Sequence, residues 1–222
     1  MADETGKKIR VSEEGPYIVE GNIPVNQFGF IAGEKGFPVG YQKIQDYLDQ
    51  ETCALCRCGE SHTKPFCDSS HEAVHFEGKE TASHASYDQM AKTIPGKMLD
   101  LMDAEELCAR ARFCDTHGTT WKLVEQATTE NEKEIAIDQC KNCPSGRLTA
   151  VTKEGIRIEP ELQQEISVLE DTPKAKHGPL WIKGGIEIED ANGNPYPVRN
   201  RVTLCRCGKS TNKPFCDGNH LD

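Results

Sequence analysis

The sequence predicts a β-rich α+β protein, built as a pseudo-two-fold pair of similar domains with a small α+β segment inserted between them. Three observations lead to this prediction: one 17-residue segment occurs twice, a weaker similarity precedes each copy, and the residues between the copies have a pattern of their own. The expected boundaries are residues 1–80 for the first domain, 81–168 for the middle segment and 169–222 for the second domain.

The repeated segment is rich in cysteine. Residues 55–71 read LCRCGESHTKPFCDSSH and residues 204–220 read LCRCGKSTNKPFCDGNH, which are identical at 12 of 17 positions. Upstream, GPYIVEGNI at 15–23 is similar to GPLWIKGGI at 178–186. Each copy therefore predicts a Gly-Pro turn, a short β-branched strand, a loop and a cysteine motif. The loop of the first copy is longer by about 14 residues.

The segment between the copies is predicted to combine helix and strand. Residues 103–113 predict a helix, because Asp103 is a suitable N-cap, Glu106 follows three residues later and apolar residues recur at helical spacing. Short β-rich runs and a polar stretch complete the segment, with strands predicted at 121–124 and 148–151 and a loop at 126–133.

Composition limits the class of protein. Leu, Ile, Val and Phe make up only about 19% of the 222 residues and the net charge is −10, so the apolar core is thin. The 11 cysteines suggest that metal or disulfides supply part of the folding energy. No apolar run approaches the ~20 residues that span a bilayer, and the first residues lack a signal peptide. We therefore expect a soluble cytoplasmic protein that does not bind a membrane. Its net negative charge also argues against a nucleic-acid partner.

The repeated motifs have the composition of metal sites. Each contains C-x-C, eight further residues and C-x3-H, and three thiolates with one imidazole suit either a structural zinc ion or an iron–sulfur cluster. C-x-C is tighter than the C-x2-C knuckle of paired zinc ligands, which favours a two-iron cluster with one iron on each pair of donors. The candidate cofactor and metal ligands are Cys56, Cys58, Cys67, His71, Cys205, Cys207, Cys216 and His220.

Other repeated residues have supporting roles that fit either metal. Glycines let the backbone turn near the site, prolines fix the loop before the third cysteine, and aspartates cap the helical turn that carries the histidine. Arginines place positive charge beside the thiolates, and serines donate a hydrogen bond toward sulfur or backbone. These pairs are Gly59 and Gly208, Pro65 and Pro214, Asp68 and Asp217, Arg57 and Arg206, and Ser61 and Ser210.

Both segments resemble the CDGSH iron–sulfur (mitoNEET-type) motif, C-x-C-x2-[ST]-x3-P-x-C-D-G-[ST]-H. Two positions depart from it: Ser69 replaces the family glycine and Asn219 replaces the family Ser or Thr. Neither is a ligand in the family, although a serine is disfavoured wherever φ is positive. The resemblance implies a [2Fe–2S] cluster on three cysteines and one histidine per motif, hence two clusters per chain. It also implies the double-motif type, in which one chain forms an internal pseudo-dimer and is a monomer.

Four cysteines lie in the middle segment, and Cys143 begins a Cys-Pro-Ser-Gly run that resembles the end of a divergent four-cysteine ferredoxin domain. Three interpretations stay open: a third metal site, a structural zinc, or buried or disulfide-paired thiols. The missing C-x2-C-x2-C run favours thiols without a cluster. Cys53 has Val202 as its counterpart and is interpreted as a non-ligand. The four cysteines are Cys108, Cys114, Cys140 and Cys143.

The mixed ligand set indicates a function. A neutral imidazole removes negative charge relative to a fourth thiolate, which raises the reduction potential, and it also titrates. We therefore expect proton-sensitive clusters that serve electron transfer, redox sensing or cluster transfer, with a redox protein or an apo iron–sulfur acceptor as partner. The alternative is a structural zinc-binding interaction module. No dinucleotide, hydrolase or phosphate-loop motif is present, so the chain is not expected to be an enzyme.

Overall fold

The computed structural model describes residues 6–47 and 50–222, so the expectation about an N-terminal export signal lies partly outside the described residues. Among the helices that are described, none is long and apolar enough to cross a bilayer. The strands are β1 (Lys8–Val11), β2 (Tyr17–Glu20), β3 (Val25–Ala32), β4 (Pro38–Asp46), β5 (Thr52–Leu55), β6 (Lys92–Ile94), β7 (Asp100–Asp103), β8 (Leu148–Val151), β9 (Arg157–Ile158), β10 (Ile166–Asp171), β11 (Lys176–Lys183), β12 (Glu187–Glu189) and β13 (Arg201–Leu204). The helices are α1 (Ser70–Ala73), α2 (Tyr87–Met90), α3 (Thr120–Gln126) and α4 (Glu130–Lys141).

Two of the three sheets contain strands from both copies of the repeat. The first has the order β12-β1-β2-β5 and the second β13-β11-β10-β3-β4. In the first sheet β1 runs parallel to β12, and in the second β10 runs parallel to β3. The second copy therefore contributes β12 to the sheet of the first, and the first copy contributes the β3–β4 hairpin to the sheet of the second. This exchange makes the two copies one interlocked unit, and β10 spans the boundary expected between residues 168 and 169.

The exchange obeys the pseudo-two-fold symmetry that the repeat predicts. The antiparallel series β1-β2-β5 of the first copy corresponds to β10-β11-β13 of the second. The two predicted strands are present as β2 and β11. Gly15 and Pro16 precede β2 as predicted, but the turn predicted at Gly178 and Pro179 is wrong, because both residues lie within β11. The 14 additional residues of the first copy lie in the β3–β4 hairpin, for which the second copy has only a short turn after β12. The β-rich α+β class is thus confirmed.

One apolar core joins the two sheets. It includes residues of β1, β2, β10, β11 and β13, so side chains from both copies are buried together. Tyr17 in β2 is fully buried, and its hydroxyl donates to the carbonyl oxygens of Cys205 at 2.7 Å and Pro214 at 3.1 Å. Because these carbonyls belong to the second cysteine motif, the core of one copy directly supports the motif of the other.

The middle segment forms the third sheet, in the order β6-β7-β8-β9, with α3 and α4 packed against it. The predicted strand at 148–151 is present as β8. The predicted strand at 121–124 is wrong, because Thr119 accepts a hydrogen bond from the Lys122 amide and caps a helix over these residues. The loop predicted at 126–133 is wrong in its second half, where Thr129 and Glu132 form a capping box that begins α4.

The helix predicted at 103–113 is also wrong. Asp103 ends β7 instead of capping a helix, because its carboxylate accepts hydrogen bonds from Arg147 and from the indole of Trp121. A single 3₁₀ turn follows at 105–107. Arg110 and Arg112 then have φ of +54° and +68°, left-handed values that break any helix. This irregular course brings Cys108 and Cys114 to one cavity, which Cys143 also lines.

Candidate metal centres

The two C-x-C pairs have the separation of donors that share one metal ion. Cys56 and Cys58 follow β5 directly, and Cys205 and Cys207 follow β13. In each pair the Sγ atoms lie 3.7 Å apart. Two sulfurs bound to one tetrahedral ion with bonds of about 2.3 Å are separated by about 3.8 Å. Each C-x-C pair can therefore occupy two corners of one tetrahedron.

The third cysteine and the histidine form a second pair in each motif. The Sγ of Cys67 lies 3.4 Å from Nδ1 of His71, and the Sγ of Cys216 lies 3.4 Å from Nδ1 of His220. A sulfur and a nitrogen on one tetrahedral ion are separated by about 3.6 Å. As predicted, an aspartate caps the intervening turn: Oδ1 of Asp68 accepts from the Ser70 amide at 3.0 Å.

Backbone hydrogen bonds hold the segment that carries the Cys–His pair next to the strand end that carries the C-x-C pair. The Cys56 amide donates to the Pro65 carbonyl, and the Cys67 amide donates to the Ala54 carbonyl, each at 2.8 Å. The predicted hydrogen bond of Ser61 goes to backbone, because its hydroxyl donates to the Phe66 carbonyl at 2.7 Å. The same bonds recur in the second copy. These hydrogen bonds hold the proline loop and the third cysteine against the end of the preceding strand.

The donors meet as two pairs and not as one group of four. Within residues 6–47 and 50–222, no three histidine, cysteine or carboxylate side chains come close enough together to hold one metal ion. Every cysteine lies within these residues and none is paired in a disulfide. In each motif the described donors therefore form two separate pairs, each with the spacing of two ligands on one metal ion.

The electrostatic surroundings favour anionic sulfur. The Cys58 sulfur accepts from the Glu60 amide, and the Cys67 sulfur accepts from the Ser69 amide, both at 3.4 Å. Arg57 is 1% exposed and its Nε and Nη2 have no hydrogen-bond partner within the described residues. A buried guanidinium without a carboxylate is costly unless other anions are near. The guanidinium lies over the rings of Tyr17 and Phe76, and its two unpartnered nitrogens, together with the amide hydrogen bonds to sulfur, fit a site that would hold an anionic metal cluster.

Burial affects the pKa of donors in the metal-free chain. It raises the pKa of the Cys216 thiol above its ordinary value and lowers the pKa of the His220 imidazole to about 4. A hydrogen bond from Cys207 lowers the pKa of Cys205 below its ordinary value. The His220 imidazole is therefore neutral, and available to a metal, throughout the neutral range. The Cys216 thiol must lose its proton when a metal binds.

The two motifs contact each other through their glycines. Gly59 has φ of +89° and Gly208 has φ of +75°. A Cβ on Gly59 would lie 2.9 Å from the Cys207 carbonyl oxygen, and one on Gly208 would lie 2.5 Å from the Cys58 carbonyl oxygen. The sequence predicted that these glycines turn the backbone, but not that they bring the two C-x-C loops into contact.

The departure at Ser69 is a strained position. Ser69 has φ of +68°, whereas its counterpart Gly218 has φ of +88° and bears no such cost. We expect Ser69→Gly to increase the free energy of unfolding by about 1 kcal/mol, because only glycine adopts this conformation freely. Urea unfolding followed by circular dichroism measures the change. Glu72→Gly, at a position of α1 whose φ is not positive, is the matched control and should lower stability. A loss of stability in both variants contradicts the idea that Ser69 is strained.

Three middle-segment cysteines line one small cavity. Cys108, Cys114 and Cys143 face it together with Arg147, whose guanidinium pairs with Asp103. Cys140 does not line this cavity and is fully buried in the apolar core between α4 and the third sheet. The sequence grouped these four thiols together, but the structure separates Cys140 from the other three.

The fold and the sites define a duplicated protein with two equivalent cysteine–histidine metal centres and a third cysteine-lined cavity. Residues 14–72 and 177–221 match the family described as iron-binding zinc finger CDGSH type, and residues 94–153 match a divergent 4Fe-4S mono-cluster family. The two copies of the repeat thus match the CDGSH family that their motifs resemble, and the three matched regions together support binding of iron–sulfur clusters. Searches of curated proteins and of solved structures gave no match. The middle match favours a cluster there over the unligated thiols that the sequence favoured.

Proposed function

We propose that each CDGSH motif binds one [2Fe–2S] cluster through three cysteines and one histidine, and that the chain serves electron transfer, redox sensing or cluster transfer. The observation that carries the proposal is the division of the donors into pairs, Cys56 with Cys58 and Cys67 with His71, each spaced for one ion. A two-iron cluster needs two such pairs. A single zinc ion needs all four donors around one point, which the described residues do not form.

The chain's own residues have defined tasks in this proposal. A bound iron–sulfur cluster supplies one-electron redox chemistry. The amides of Glu60 and Ser69 stabilise thiolate charge, and Arg57 adds a buried cation beside the C-x-C loop. The histidine keeps the ligand charge less negative than four thiolates do, and its exchangeable proton makes the site sensitive to pH. No catalytic residue is needed, so the proposed role is that of a carrier and not of an enzyme.

The partners follow from the charge of the chain. With 36 acidic and 26 basic residues, its surface complements a basic redox protein or a basic apo iron–sulfur acceptor. Because the two copies exchange strands within one chain, each motif already packs with a second motif of the same chain. We therefore propose that the protein is a monomer. A sedimentation mass of twice the 24.6 kDa chain contradicts that part of the proposal.

The middle domain extends the proposal. Its match to a 4Fe-4S family and the convergence of Cys108, Cys114 and Cys143 on one cavity support a further cluster held by these three thiols. Arg147 at the cavity wall supplies positive charge, and its pKa is raised by hydrogen bonds to Asp103 and Cys108. Cys140 is not part of the cavity lining and is buried in the apolar core beside it, so we do not include it as a fourth ligand.

Metal and sulfide counting tests the proposal. Protein purified without oxygen is expected to be red and to hold about four irons and four sulfides per chain in the flanking sites, with about four more of each when the middle domain is loaded. Cys56→Ser with Cys205→Ser should remove the flanking clusters. Cys53→Ser, a change of the same kind at a non-ligand, should remove none. A colourless protein with about one zinc per motif overturns the proposal in favour of the zinc-binding interaction module.

A further inference from the structure

The two CDGSH sites differ in how their Cys–His ends are covered. In the first site Cys67 is half-buried and both Asp68 and Ser69 are exposed. In the second, the counterparts Cys216 and Gly218 are both buried. The C-x-C ends do not share this difference, since Cys58 is buried while Cys207 is half-buried. The additional cover is therefore specific to the end that carries the histidine.

The cover comes from the middle domain. A Cβ on Gly218 would lie 2.4 Å from Cγ and 2.5 Å from Cδ of Arg110, so the aliphatic part of this arginine packs directly on the glycine. The Arg110 guanidinium then pairs with Asp222 at 3.0 Å, just beyond His220. Residues 106–112 are termed the cover segment below.

Further contacts fix the cover segment over the second motif. The Asn212 side chain donates to the Glu106 carbonyl at 3.0 Å. At the other end Arg112 makes two hydrogen bonds, of 2.7 and 2.6 Å, to the buried carboxylate of Asp171. Arg110 and Arg112 both have positive φ, a strained conformation that persists only where surrounding contacts impose it. The aspartates do not distinguish the two motifs, because Asp68 accepts from its own His62 and Ser70 and Asp217 accepts in the same way from Thr211 and Asn219.

We propose that the first CDGSH site is the exchangeable one and that the second retains its cluster because the cover segment closes its Cys–His end. This inference rests on the proposed function and assigns different roles to the two sites. The imidazole is the one neutral donor among three thiolates, so opening of the turn that carries it is the step that exposes the bound metal. His71 and His220 are both half-buried, but the Arg110 stem and its ion pair with Asp222 hold only the turn at His220 among the described residues. The turn at His71 therefore opens more readily.

Delivery to an acceptor is then a ligand exchange without net oxidation. Three iron–sulfur bonds to cysteine and one iron–nitrogen bond to histidine break at the donor site, and four bonds form to the thiolates of a four-cysteine acceptor. The acceptor thiols release four protons, of which three return to the cysteines of the emptied site and one passes to solvent. His71 leaves as the neutral imidazole.

The experiment follows cluster transfer to a four-cysteine apo-ferredoxin by visible absorbance and circular dichroism. The unmodified chain should lose its flanking clusters in two phases of equal amplitude, separated by roughly threefold to tenfold, which is the range expected for one packed arginine stem and its ion pair. His71→Cys should slow the fast phase alone, which assigns it to the first site. One common rate for both clusters overturns the inference.

Arg110→Ala tests the cover directly. It should accelerate only the slow phase, and Asp222→Asn, which removes the ion pair but leaves the arginine stem, should do so to a smaller degree. Arg157→Ala removes a comparable exposed ion pair with Asp88 elsewhere in the middle domain and should change neither phase. Equal acceleration of both phases by Arg110→Ala also overturns the inference. Iron and sulfide counts of the starting protein separate these outcomes from a failure of the proposed function, in which no cluster is present to transfer.

Discussion

Gly59→Ala is expected to lower the free energy of unfolding by about 2–5 kcal/mol and to deplete both CDGSH sites of iron. A left-handed alanine costs about 1–2 kcal/mol, and an intruding methyl group in a packed interface adds about 1–3 kcal/mol. The methyl group at Gly59 would lie 2.9 Å from the Cys207 carbonyl oxygen, which cannot rotate away as a side chain does. Because this contact joins the two C-x-C loops, one substitution disturbs both sites.

The structure supplies a control with nearly the same backbone conformation. Gly155 has φ of +86°, against +89° for Gly59, but a Cβ there meets nothing within 4 Å. Gly155→Ala should therefore cost only about 1–2 kcal/mol and leave the metal content unchanged. Urea unfolding and iron counts of both variants distinguish the cost of a left-handed alanine from the cost of the contact between Gly59 and Cys207. Equal losses at the two positions would mean that the loops do not press on each other.

The local geometry of the sites was largely predictable because it depends on short-range sequence. The duplication predicted two equivalent centres, and the spacing of Cys67 and His71 predicted a helical turn whose aspartate caps it, as observed. Gly-Pro turns followed by β-branched residues predicted β2 and β11. In each case the residues that determine the structure lie within about ten positions of one another.

The parallel strand exchange was not predictable from the sequence by the same reasoning. An alternating apolar pattern in β1 requires a buried face but does not specify whether β12 or a strand of its own copy lies beside it. The contact of the two glycine turns follows from that exchange and was missed with it. The failed helix at 103–113 has a different cause, because Arg147 competes for the carboxylate that a helix cap needs. Long-range partners decided each of these features.

The pseudo-symmetry is therefore broken by contacts that only one copy makes. Tyr17 donates to the second motif from the first copy, whereas its counterpart in the repeat, Leu180, has no hydroxyl to return the bond. The cover segment likewise reaches only Gly218. Two sites with the same ligands consequently have different surroundings, which is the condition for two sites with different behaviour in one chain.

His71→Cys with His220→Cys is expected to lower the reduction potential of both flanking sites by on the order of 100 mV. Each substitution replaces a neutral imidazole with an anionic thiolate, and the added negative charge disfavours uptake of an electron. Two imidazoles raise the potential of a two-iron centre by at least about 250 mV relative to four thiolates, so one per centre should account for roughly half of that difference.

The same double variant should remove the dependence of the potential on pH. Where the reduced form binds a proton at the histidine, acid favours reduction, so the unmodified potential falls by up to about 59 mV for each unit that the pH rises. A cysteine ligand offers no such proton, and the clusters of the variant should also persist longer in acid. Redox titrations followed by visible absorbance between pH 6 and 9 measure both effects. His62→Cys, at an exposed histidine 3.3 Å from Asp68, is the matched control and should leave the potential and its pH dependence unchanged. An unaltered potential in the double variant would show that neither histidine is a ligand, and the pairing of Cys67 with His71 would then have a purely structural origin.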